Sequence, residues 1–155
     1  MKNESRTTHM HQELCNVPMN KESYQKFLAN HEDDMQKSTL SSFFNEFLFE
    51  HPELTVPEII RRSNISADYA RQIINGRRPH PSKYKLVALC IGAGMNIIEV
   101  RRALQYAGCP ALYDKNNVDA GIIICINNGC NNVADVQAFL LDAGEMDPFG
   151  KNSFS

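Results

Sequence analysis

Asp68, Arg71 and Gln72 fall at i, i+3 and i+4 of the short run Ala67 to Asn75, and Arg77, Arg78, His80, Lys83 and Lys85 follow directly after Gly76. If that run is helical, the spacing gathers Ala67, Asp68, Arg71, Gln72 and Asn75 on the face opposite Ala70, Ile73 and Ile74, with Tyr69 on the flank. These side chains suit nucleic-acid readout. Arginine addresses guanine O6 and N7, glutamine addresses adenine N6 and N7, and Asp68 can accept from a cytosine amino group or hold Arg71 in place. The cations beyond the helix would meet phosphates and fix register, and the N–H groups near Ser82 would add an anion site. The bland alternative is a packed helix followed by a solvated cationic loop.

Two short helices must position this face, Val56 to Arg62 and Ala67 to about Asn75, separated by "SNIS" at the spacing of a helix-turn-helix. Thr55-x-x-Glu58 with Pro57 marks the first start, and Ser66 is the second N-cap. Asn64 stands where the tight turn requires a positive φ. Ile59, Ile65, Ala70 and Ile73 can close an apolar seam between the pair. Upstream, Leu40, Phe43, Phe44, Phe47 and Leu48 predict an amphipathic helix from Thr39 to about Phe49. A further helix is expected from Lys21 to about Met35, with residues 1–18 disordered.

Downstream, Ser82 after Pro81 and Asn96-x-x-Glu99 predict helix starts, while Gly94, Gly108, Gly129 and Gly144 predict stops. No stretch alternates with period two. "CIGAGMNIIEVRRALQYAG" (Cys90 to Gly108) echoes "CINNGCNNVADVQAFLLDAG" (Cys125 to Gly144) if one residue is inserted. The echo reads either as a duplicated helical hairpin or as two helix pairs built from one vocabulary of caps.

The charge is local. The whole chain of 155 residues carries a formal −2, but Thr55 to Lys85 holds seven cations against two acids, and Pro110 to the end holds six acids against two cations. Hydrophobic content of 43% and charged content of 22% fit a soluble globular chain. No apolar run reaches the ~18 residues of a membrane span, and no secretory core precedes it, so a cytoplasmic location is expected. The five cysteines lack paired spacings and read as reduced core thiols, and His9-x-His11 near Cys15 lacks a fourth metal ligand. No cofactor or metal is expected. Neither His-Glu-x-x-His nor a phosphate-cradling glycine loop is present, which argues against an enzyme.

Ile73-x-x-Gly76-x-Arg78, Pro81-Ser82 and the Leu86, Leu89, Gly94, Met95 pattern before Asn96 give Thr39 to Gly108 its resemblance to the Xre/Cro/CI-type helix-turn-helix family of bacterial and phage repressors. The resemblance implies an all-α, five-helix domain over 38–108; outside the family core, helix patterning alone predicts an additional C-terminal helical hairpin over 109–146. Residues 1–37 and 147–155 would be tails. It further implies that Ala67, Asp68, Tyr69, Arg71 and Gln72 face bases in the major groove, and that Arg78 and Ser82 approach phosphate. With Ser66, Arg77, His80, Lys83 and Lys85 these complete the expected phosphate side. Two positions depart from the family: Ile60 replaces a small residue at the helix crossing, and Ser63 an apolar residue before the turn.

The expected function is a sequence-specific transcriptional regulator that binds double-stranded DNA as a homodimer, since one short recognition helix reads few base pairs. The acidic, apolar C-terminal helices are the expected interface or the site of a protein or signal partner. A helical protein-interaction adaptor without DNA binding is the alternative.

Overall fold

A computed structural model describes residues 12–30 and 39–150. The chain divides into two compact units, Met1–Ser38 and Thr39–Ser155. Among the described residues every regular element is helical.

In the first unit, residues 12–15 form a helical turn and α1 spans Lys21–Asn30. The Asn20 side chain accepts from Ser23 N at 2.7 Å, fixing the start of α1. Order at 12–15 departs from the expected disorder through residue 18. Met35, the expected end of α1, and His9-x-His11 lie outside the described residues.

The second unit contains α2 (Leu40–Glu50), α3 (Val56–Ser63), α4 (Ala67–Asn75), α5 (Lys83–Gly92), α6 (Ile97–Ala107), α7 (Asn117–Asn127) and α8 (Val133–Asp142). Local chemistry sets the boundaries. Thr39, Thr55, Ser66, Asn96, Asn116 and Asn132 each accept a backbone N–H of the helix they precede. Asn64 ends α3 at φ 56°, ψ 34°. A branched side chain crowds its own backbone there, so Asn64→Val is expected to cost about 1–2 kcal/mol. Asn64→Gly should sit near neutrality, both read as urea midpoints.

Helix α5 is the centre of the core: every residue from Leu86 to Gly92 is buried. Helix α3 crosses it closely. Ser63 is wholly buried, and its hydroxyl is satisfied by donation to Ile59 O at 2.6 Å. A Cβ built on Gly92 would lie 2.1 Å from Ser63 Oγ and 2.6 Å from Ile59 O. The crossing therefore requires small residues on both helices, serine on one and glycine on the other. Ile60, the other departure, is only partly buried beside the core.

Helices α5, α6, α7 and α8 form a closed ring of neighbours, α5 on α6, α6 on α7, α7 on α8 and α8 on α5. The sequence echo maps onto matching geometry. Met95 N donates to Cys90 O and Cys130 N to Cys125 O, both at 3.1 Å, across the left-handed Gly94 and Gly129. The closing glycines match too, with Cys109 N on Leu104 O and Glu145 N on Leu140 O, both at 2.9 Å. The inserted residue falls in the turn between Gly129 and Asn132.

Residues 109–150 do not stand apart from 39–108. Ile122, Val133, Val136, Leu140 and Phe149 join one core with Ile59 and Leu89, and α8 packs on α3 as well as α5. Phe149, expected in a tail, is 1% exposed, with its ring edge-on to Tyr84. The apolar side chain outweighs the polar residues around it.

Candidate nucleic-acid interface

Helix α4 is held from both ends. Ser66 caps its start by accepting from Tyr69 N at 3.1 Å. At the other end, Ile74 O lies in the last turn, where carbonyls lack intrahelical donors. It accepts from Ser41 Oγ at 2.6 Å and Asn45 Nδ2 at 3.1 Å, both from α2. Ala70 and Ile73 are fully buried beneath, so the helix presents one fixed face. Sequence reading missed Ser41 and Asn45. Their signal was a pair of polar residues at i, i+4 inside the aromatic-aliphatic pattern of α2.

Ala67, Asp68 and Arg71 are exposed on that face, while Tyr69 and Gln72 are half-buried. Neither the Asp68 nor the Arg71 side chain has a hydrogen bond or ion pair among the described residues, so of the two roles open to Asp68 the brace on Arg71 is not formed. Gln72 is engaged: Arg78 Nε and Nη2 donate to its Oε1 at 3.1 and 2.8 Å. Tyr69 is engaged twice. Its hydroxyl accepts from Ser82 N at 3.0 Å, and its ring centroid lies 4.4 Å from Arg78 Cζ and 4.4 Å from Lys85 Nζ.

The loop after α4 is pinned along its length. Arg77 N donates to the Asn75 side chain at 2.9 Å and Arg78 N to Gln72 O at 3.0 Å. His80 Nδ1 donates to Ala107 O at 2.9 Å, and Cys109 Sγ to Pro81 O at 3.2 Å. Arg77, Arg78, His80 and Ser82 are exposed on this anchored loop.

Homology adds nothing to this geometry. No family model, curated protein or solved structure matches the chain.

The seven cations of the basic segment divide by partner. Arg61 pairs with Glu58, and the Arg61 guanidinium holds the Glu58 carboxyl below its ordinary range. Arg62 Nε sits 3.4 Å from the same carboxylate. Lys83, expected to bind phosphate, is committed elsewhere: its ammonium donates to Asp119 Oδ2 at 2.8 Å. Asp119, at the start of α7, is 1% exposed and also accepts from Tyr84 Oη at 2.7 Å and Tyr113 N at 2.8 Å. This network ties α5 to α7. Arg71, Arg77 and Arg78 lie around α4, and Lys85 sits over the Tyr69 ring.

Among the described residues no group of three His, Cys, Asp or Glu side chains is placed to hold a metal, and no helix is long and apolar enough to cross a membrane. Burial pushes the Cys90 thiol up strongly and the Cys125 thiol up to about 11, which disfavours thiolate at neutral pH.

Proposed function

We propose that this protein is a sequence-specific DNA-binding transcriptional regulator of the Xre/Cro/CI type, acting as a dimer through α4 in the major groove. The observation that carries the reading is the join of a rigidly held helix, exposing Asp68 and Arg71, to an anchored loop exposing Arg77 and Arg78. A base-contacting face beside a cationic rim is the arrangement that direct readout and phosphate positioning require.

One nine-residue helix reads only a few base pairs, so useful specificity calls for two half-sites one helical turn apart. Ile124, Phe139 and Leu141 expose apolar surface on α7 and α8 that suits a second protomer. The same surface favours the alternative, a helical adaptor that binds other proteins.

Binding-site selection from random duplexes with purified protein tests the proposal: a palindrome would give DNA binding, dimerisation and half-site spacing together, and a failed selection would promote the adaptor. Arg77→Ala with Arg78→Ala is expected to weaken binding on all sequences and to flatten log K against log salt by about 0.9 for each phosphate that the variant no longer neutralises. An unchanged slope would contradict the phosphate assignment.

A further inference from the structure

Tyr69 and Gln72 were expected to read bases, yet both side chains are engaged within the protein. Bidentate adenine recognition needs glutamine Oε1 to accept from N6 while Nε2 donates to N7. Gln72 Oε1 already receives two hydrogens from Arg78. The Tyr69 hydroxyl accepts from Ser82 N and lies 3.5 Å from Ser82 Oγ, and its ring packs on the core while holding two cations at 4.4 Å.

We infer that Tyr69 is a positioning residue that fixes Arg78, with Lys85 beside it, as a seat for a DNA phosphodiester, and that Gln72 braces the same guanidinium instead of reading adenine. The inference rests on the DNA-binding reading above. Three features make the seat. The tyrosine ring attracts both cations and offsets their mutual repulsion. Arg78 is fixed at two points, its backbone N–H on Gln72 O and its side chain on Gln72 Oε1. A guanidinium has five N–H donors, and the bonds to Gln72 use only two. The remaining edge can take a phosphate in the two-pronged manner for which arginine is suited. Sequence discrimination then falls to Asp68 and Arg71, the exposed polar side chains of α4 that have no partner among the described residues.

The test separates the seat from its DNA. In the free protein, the Arg78 Nε–H resonance should be distinct and slow to exchange with water, and it should shift on titration with inorganic pyrophosphate. Tyr69→Leu should abolish both properties; Tyr69→Phe, which keeps the ring, should retain them. On duplexes, Tyr69→Leu should weaken the selected site and unrelated DNA by the same factor, roughly tenfold. It should also lower the salt slope by about 0.9 for each phosphate left without its cation, while the selected sequence stays unchanged. Arg71→Ala should alter that sequence. The inference is overturned if the Arg78 resonance exchanges like a free arginine, if it ignores Tyr69→Leu, or if Tyr69→Leu or Gln72→Leu changes which bases are preferred. A wild-type protein that orders Arg78 and takes pyrophosphate but binds no duplex would sink the DNA reading and, with it, the phosphodiester as ligand.

Discussion

Gly92→Ala is expected to destabilise the second unit by about 3 kcal/mol, and Gly92→Leu to prevent folding altogether. Intrinsic preference points the other way, since alanine in a helix is favoured over glycine by roughly 0.5–1 kcal/mol. Packing decides the sign. The new Cβ would meet Ser63 Oγ at 2.1 Å, Ile59 O at 2.6 Å and Ser63 N at 2.9 Å. Two of those atoms are backbone, so no rotamer change relieves the clash, and α3 must move away from α5. Ser63→Ala in the Gly92→Ala protein removes the closest of the three atoms but leaves the backbone clashes, so partial recovery is expected. Urea midpoints of wild type, Gly92→Ala, Ser63→Ala and the double variant check this. A Gly92→Ala midpoint equal to that of wild type would refute the close crossing.

Asp119→Ala is expected to cost about 3–5 kcal/mol, because it leaves the Lys83 ammonium, the Tyr84 hydroxyl and the Tyr113 N–H around a buried site with no acceptor. Burial alone would raise the Asp119 pKa. The hydrogen bonds from Lys83, Tyr113 N–H and Tyr84 outweigh it and hold the carboxyl below its ordinary value of 3.8. A depressed folded pKa gives stability that is present above that ordinary value and lost as pH falls through the lower, folded one. Wild type should therefore lose stability on acidification below about pH 4, and Asp119→Asn should lack that part of the dependence.

Tyr84 acts at the other end of the scale. Burial, then its bond to Asp119, pushes its pKa from 10.0 up to about 12. Its share of stability is present below the ordinary tyrosine value and declines as pH rises toward the folded one. Stability measured against pH in wild type, Asp119→Asn and Tyr84→Phe resolves both limbs. An acid limb identical in wild type and Asp119→Asn would refute the first, and an alkaline limb that survives Tyr84→Phe the second.

What sequence conveyed well was whatever is written locally. Thr55, Asn64, Ser66 and Gly76 bracket α3 and α4 because caps and left-handed turns act within four residues of themselves, and α4 runs from Ala67 to Asn75 as expected. The apolar period of α2 was equally plain. Choice of partner was not. Lys83 looked like one more cation in a basic run, and only the chain's return 36 residues later brings Asp119 to it. Tyr69 lay on the flank of a helical wheel, which gives no hint that Ser82, 13 residues on, donates to its hydroxyl. The serine at 63 was visible as a departure, but the glycine that makes room for it belongs to another helix.

The packing of α8 on α3 has a consequence for biosynthesis. These helices are separated by about seventy residues, and the core they share also includes Phe149. A chain made from its N-terminus at roughly 5–20 residues per second exposes α3 and α4 to the cell several seconds before α8 leaves the ribosome. During that interval the α3–α4 pair lacks one of its supports. Any function that needs the finished core, including the DNA readout proposed for α4, must wait until nearly the whole second unit has been translated, and a ribosome that stalls early releases a fragment with an incomplete core.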